Sequence, residues 1–171
     1  MITLAWSKSS LPLSKLIRWM FNEPVSHFSI IFDNRLVFHS NLLGAHTEWL
    51  SRFEKKSKII YRIDLFTNLE QEEKIYKNIL NTFDRPISYD WGGFLFFAIH
   101  SIFYKFLKRP MPKRNLWSDK DLYLCEEMIT MVQDLLNIHP YQDLSIITPY
   151  QLFRTIRNQL HFKKQTFKFN L

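Results

Sequence analysis

Apolar positions along the chain change their spacing several times, and each change marks an element. Ile2 to Trp6 is a short apolar run that predicts a strand. Ser10 followed by Pro12 suits a helix start, and Leu13, Leu16, Ile17, Met20 and Phe21 keep helical spacing until Glu23-Pro24 stops it. His27 to Phe32 and Leu36 to Ser40 are β-rich runs flanking Asp33-Asn34-Arg35, the pattern of a hairpin, and Ile59 to Leu65 predicts a further strand.

Asn68 with Gln71 three residues later has the form of a capping box, in which each side chain satisfies the other's backbone N–H. The helix behind it sets Ile75, Tyr76, Ile79, Leu80 and Phe83 on one face. A proline-containing loop leads to Trp91-Gly92-Gly93 and an apolar stretch to Leu107, interrupted by His100 and Lys105. Two prolines make a loop of Arg109-Pro110-Met111-Pro112-Lys113-Arg114. A second amphipathic helix carries Cys125, with Leu124, Met128, Ile129, Val132, Leu135 and Leu136 as its apolar stripe. Thr148-Pro149 starts a last helix bearing Leu152, Phe153, Ile156 and Leu160. In the tail Phe167, Phe169 and Leu171 alternate with polar residues, as an edge strand does. Hairpin connections are favoured over βαβ crossovers, so the expected class is α+β, an antiparallel sheet packed against helices. With 171 residues, only three Gly and no repeat or low-complexity linker, one domain over residues 1–171 is expected.

Charge adds one feature. The net charge is +7, and basic residues gather at Lys105, Lys108, Arg109, Lys113 and Arg114, then at Lys163, Lys164 and Lys168. Such a surface suits an anionic partner, but no helix-turn-helix, zinc finger or RNA-binding signature accompanies it, so nucleic acid is not the expected one. A single cysteine rules out an internal disulfide. Met1 to Trp6 lacks the basic start and cleavage site of a signal peptide, which makes cytoplasmic placement, with peripheral membrane contact open, the expectation. No apolar run reaches the roughly 20 residues that span a bilayer. Within Gly92 to Arg114, Phe94, Leu95, Phe96, Phe97, Ile99, Ile102, Phe103, Phe106 and Leu107 leave almost no polar face. That segment is either a core helix or a hydrophobic cap docking on membrane, an acyl chain or a protein, with the basic cluster meeting an anionic surface.

Cys125 is the one candidate nucleophile of its kind. A thiolate is favoured at a helix start beside an imidazolium, whereas Glu126 and Glu127 oppose it; the alternative is a buried Cys filling a core gap. His27 and His39 are the informative histidines. An odd number of loop residues in the Asp33 hairpin puts both on one sheet face: directly opposite if the loop centres on Asp33, diagonal if on Asn34. A two-residue loop separates them. A cross-strand imidazole pair supplies a base and a group that fixes its tautomer; ordinary half-buried strand histidines are the alternative. His46, His100, His139 and His161 show no spacing that recruits them. Two His and one Cys have the donors for zinc, but without a paired-ligand motif no metal or other cofactor is expected. Neither a Gly-rich phosphate loop nor a G-x-S-x-G elbow occurs.

The order of these motifs resembles a known superfamily. Val25-Ser26-His27-Phe28-Ser29-Ile30-Ile31 resembles the S-H-V-G-I strand of permuted papain-like NlpC/P60-type proteins, and Leu124-Cys125-Glu126-Glu127-Met128-Ile129 resembles their C-S-E-L segment. Histidine before cysteine is the permuted order. Pro24, Tyr89-Asp90-Trp91 and Thr148-Pro149 resemble elements of YiiX-like permuted amidases. A His twelve residues after the first, as His39 is, and Cys125-Glu126 resemble relatives of lecithin:retinol acyltransferase. The chain departs from both patterns in Ser29, where Gly is common, and in Glu126, which replaces the Ser of C-S-E.

The resemblance implies a cysteine hydrolase working through a Cys125, His27, His39 triad and a covalent acyl-enzyme, with no cofactor. His27 takes the thiol proton, His39 orients the His27 ring, and the Cys125 N–H holds part of the oxyanion, with Ser7 or Trp6 as candidates for a second donor. The expected substrate is an amide, in a peptide or cell-wall fragment. A lipid acyl hydrolase or acyltransferase is the alternative, and a non-catalytic structural or binding module on the same fold is the third reading.

Overall fold

Alternating side chains explain why β1 (Ile2–Ser9) runs through the middle of a sheet: Ile2, Leu4 and Trp6 are buried on one face, and Ala5 and Ser7 on the other. The computed structural model describes residues 1–41, 44–65, 67–83, 88–117, 128–136, 144–162 and 169–170. Around β1 stand β2 (His27–Phe32), β3 (Leu36–Asn41), β4 (Gly44–Trp49), β5 (Ser57–Leu65) and a two-residue edge strand β6 (Phe169–Asn170). Their order is β4-β3-β2-β1-β5-β6, and every neighbouring pair is antiparallel. The helices are α1 (Pro12–Phe21), α2 (Leu50–Lys56), α3 (Leu69–Phe83), α4 (Trp91–Leu107), α5 (Thr130–Leu136) and α6 (Pro149–Phe162). The class is α+β.

The sheet carries different cover on its two faces. Ile2, Leu4, Trp6, Phe28, Ile30 and Phe38 pack against Ile75 and Ile79 of α3, Met128, Ile129 and Val132 at α5, and Leu152, Phe153 and Ile156 of α6. On the other face Ala5, Ile31 and Val37 form a smaller cluster, among the described residues, with Leu50 and Phe53 of α2 and the half-buried Ile59. That thinner side leaves room for a cavity.

Local chemistry sets several boundaries. Asp33 and Asn34 take φ of 47° and 53°, and the Arg35 N–H donates to the Phe32 carbonyl at 2.8 Å. Two successive left-handed residues reverse the chain here, and Asp and Asn tolerate that conformation better than most side chains. The Asn68–Gln71 capping box forms, with N–H to side-chain oxygen distances of 3.0 and 2.8 Å. Thr148 and Gln151 cap α6 in the same reciprocal way, and Thr148 also donates its hydroxyl to Glu23 at 2.7 Å. Burial pushes the Glu23 carboxyl up, against the hydrogen bond from Thr148. Asp90 caps α4 by accepting from the Gly93 N–H at 2.7 Å, and a Cβ on residue 93 would overlap that carboxylate.

The structure adds two elements to the sequence reading and changes one expectation. β4 and α2 had no signal: the first is a polar edge strand with exposed Trp49, the second a seven-residue helix with no side-chain cap. α4 is not a core helix. Only Gly93, Phe96, Phe97 and Ser101 of it are buried, and no helix among the described residues is long and apolar enough to cross a membrane. The expected Cys125 helix is described from Thr130 onward, with Met128 and Ile129 buried before it. Cys125, Leu124, Glu126, Glu127, Phe167, Leu171 and the lysines 163, 164 and 168 lie outside the described residues.

Candidate functional site

The hairpin register decides where the histidines go. Phe32 pairs with Leu36, Ile31 with Val37 and Ile30 with Phe38, so the loop has three residues centred on Asn34. Continued along the strands, that register sets His39 against Ser29 and leaves His27 as its diagonal neighbour on the same face. The rings meet edge to face at 86°, with His27 Nε2 3.1 Å from His39 Nδ1.

A carboxylate extends the pair. His39 stands opposite His46 on β4, and Glu48, two residues on, points to the same face. Glu48 Oε1 lies 3.1 Å from His39 Nε2. The contact is off the line of the His39 N–H and acts as electrostatic attraction rather than an aligned hydrogen bond. Lys56 Nζ holds the other Glu48 oxygen at 3.1 Å, and Arg52 approaches it at 3.8 Å. Neither Glu48 nor His46 was singled out from sequence. The signal that would have found them is Asn41 with Gly44 three residues on, whose pairing sets 39 opposite 46.

Tautomers follow from these neighbours. Beside the Glu48 carboxylate, His39 carries its proton on Nε2, so Nδ1 is the acceptor facing His27. His27 then donates from Nε2 and keeps its Nδ1 lone pair for an incoming proton. Burial lowers the pKa of His27, with His46 adding to the effect, and lowers that of His39 still further, with His27, His46 and Lys56 as added causes. The His27 ring is only half-buried and opens on a cavity, so water there limits the depression. Both imidazoles are neutral near pH 7. A neutral His27 with its lone pair free is a base.

That cavity holds about 430 Å³ and lies between the thin side of the sheet and helices α1 and α4. Leu13, Ile17, Phe53, Phe94 and Phe97 make most of its wall apolar, while His27, His39 and Glu48 supply a polar corner. Phe53 packs on both imidazoles, at ring-centroid distances of 6.3 Å from His27 and 5.2 Å from His39. Ile147, a member of the core on the far face, also reaches this wall. The cavity therefore sits at the end of the sheet, where the two faces meet.

Of the two candidate oxyanion donors, the Trp6 side chain is excluded. Its indole is held on the far face between Phe28 and Phe153, each 5.1 Å away. Ser7 pairs directly with His27 across β1 and β2, and its buried hydroxyl has no hydrogen-bond partner among the described residues.

Donor atoms of His39, His46 and Glu48 lie within 4.8 Å of one another, a spacing compatible with a metal ion. The surroundings argue against one. Lys56 and Arg52 already neutralise Glu48, and His46 is held at both nitrogens, Nδ1 by the Gly44 carbonyl at 3.0 Å and Nε2 by the Asn41 amide at 3.4 Å. No family model, curated protein or solved structure matches the chain.

Proposed function

We propose that the chain is a permuted papain-like cysteine hydrolase, in which His27 deprotonates Cys125 and His39 with Glu48 holds the base in its working tautomer. The observation that carries this reading is the His27 Nε2 to His39 Nδ1 contact, continued to Glu48. A lone histidine on a sheet needs no such polarised partner, whereas a general base does, because proton transfer builds positive charge on its ring.

The described residues that precede Cys125 lie close to the cavity. Trp117 lies against Gly92 at the start of α4, and Asn115 donates to the Gly93 carbonyl at 2.9 Å. Tyr89 and Phe94, on either side of that helix start, line the cavity. Met128 and Ile129, which follow Cys125 in the sequence, pack on the face away from His27.

In the reaction the Cys125 thiolate attacks an acyl carbonyl, and His27 carries the thiol proton to the leaving amine or alcohol. Water, activated by the same Nδ1, then releases the acid. The Cys125 N–H and the Ser7 hydroxyl, which has no partner among the described residues, are the oxyanion donors in this reading. An amide in a peptide or cell-wall fragment is the first substrate class. The apolar wall of Leu13, Ile17, Phe94 and Phe97 favours a second, a lipid acyl ester. Mass spectrometry of the intact protein after incubation with acyl esters and peptide amides tests both. The expected result is one acyl adduct on Cys125, absent in Cys125→Ala. No adduct with either class, and no labelling by a thiol-directed activity probe, would leave the non-catalytic module as the reading.

A further inference from the structure

α1 and α4 lie side by side, and both turn apolar side chains to solvent. Trp91, Leu95, Ile102 and Phe106 follow one another at intervals of four, seven and four residues, which aligns them on one stripe of α4. That stripe is opposite the buried Gly93 and Phe97; Leu95 is 53%, Ile102 44% and Phe106 63% exposed. Across from it, Trp19 of α1 is 56% exposed and its ring lies 6.3 Å from that of Phe106. Leu11 and Leu16 are exposed at the same helix, so the apolar surface crosses both elements. Contiguous exposed apolar surface usually marks an interaction site.

Charge identifies the kind of partner. Residues 8–22 and 91–117 hold eight of the chain's 23 Lys and Arg and none of its 16 Asp and Glu, so the net charge of +7 is concentrated there. Lys15, Lys108, Arg109, Lys113 and Arg114 are exposed around the stripe. Lys105 lies 3.6 Å over the Trp19 ring and donates to the Trp19 carbonyl, joining the two helices with its stem along the apolar patch. Trp91, Tyr104 and Trp117 are exposed aromatics of the amphipathic kind that favour a membrane interface.

We propose that the joined outer surface of α1 and α4 docks onto an anionic lipid bilayer, both helices lying in the headgroup plane. No described helix is long and apolar enough to cross, so the surface lies on the membrane. The described residues of 8–22 and 91–117 set basic side chains without carboxylates around an apolar centre, which complements lipid phosphates and acyl chains together. The inner sides of the same helices wall the cavity holding His27. Docking requires no thiol chemistry and stands apart from the proposed reaction.

Sedimentation of the full chain with vesicles of phosphatidylcholine alone, or mixed with phosphatidylglycerol, tests this. The parent should sediment with the anionic vesicles at low salt and be released at high salt. Ile102→Asp/Phe106→Asp and, separately, Lys108→Glu/Arg109→Glu should each weaken partition by at least about tenfold. Leu69→Asp, at a largely exposed leucine of α3, and Cys125→Ala should bind as the parent does. Circular dichroism checks folding, and the charge variant, on loop side chains, keeps the test valid if the apolar one unfolds. Equal binding by parent and charge variant, no preference for anionic vesicles, or a concentration-dependent dimer lost in the Ile102/Phe106 variant would overturn the proposal.

Discussion

Glu48 Oε1 stands 3.1 Å from His39 Nε2, on the far side of the imidazole from His27. The carboxylate thus acts on the proposed base only through a second histidine. Glu48→Gln keeps the shape but removes the charge that fixes the His39 tautomer. Alkylation and turnover at Cys125 should slow by about 10- to 100-fold, the range seen for groups that orient a reactive shell. The pH at half-maximal alkylation should move as well, a change that loss of packing alone does not produce.

His39→Gln can still accept from His27 through its amide oxygen, although it does not carry a proton on to Glu48. Steady-state kinetics should show a fall in kcat with KM little changed, since His39 orients the base rather than holding substrate. An equal loss in both parameters would point to a binding role.

Acid should destabilise the fold through the same pair. Burial holds the folded His27 pKa below its ordinary 6.5, at about 4, and that of His39 is lowered too. In that interval the unfolded chain binds more protons than the folded one. The stabilising contribution is therefore complete above pH 6.5 and is lost as pH falls towards 4. Thermal melts across this range should show a falling midpoint, and His27→Gln/His39→Gln should flatten the fall. A midpoint independent of pH in the parent would contradict the buried neutral pair.

Phe53 is the packing support of the site. It is buried on the thin face of the sheet and touches both rings. Phe53→Ala should lower stability by about 3–5 kcal/mol and, where the fold survives, slow Cys125 alkylation, because the imidazoles lose their wall. Chemical denaturation read against alkylation rate separates the two effects. Chelators give a complementary check. Treatment with EDTA should leave alkylation and melting unchanged, whereas a shift reversed by zinc would assign His39, His46 and Glu48 to a metal instead.

Much of this geometry was legible because it is local. Asp33-Asn34 favours left-handed backbone, and the caps at Asn68 and Thr148 need only a partner three residues away. Glu48 was not legible: as a carboxylate in a polar segment it reads as solvated, and only the β3–β4 register brings it to His39. α4 was ambiguous for a related reason. Its sequence is apolar nearly all round, and exposure depends on which elements cover it, which here is one side alone.

The proposed proton transfer from Cys125 to His27 is open to one direct measurement, since the chain has a single cysteine. The rate of iodoacetamide alkylation is followed against pH in the parent and in His27→Ala. The relay predicts a parent midpoint below about 8.5, the value of a free thiol, and a variant midpoint that returns towards it with slower alkylation near neutral pH. Superimposable profiles would mean that Cys125 ionises independently of His27, and the catalytic reading of the pair would fall.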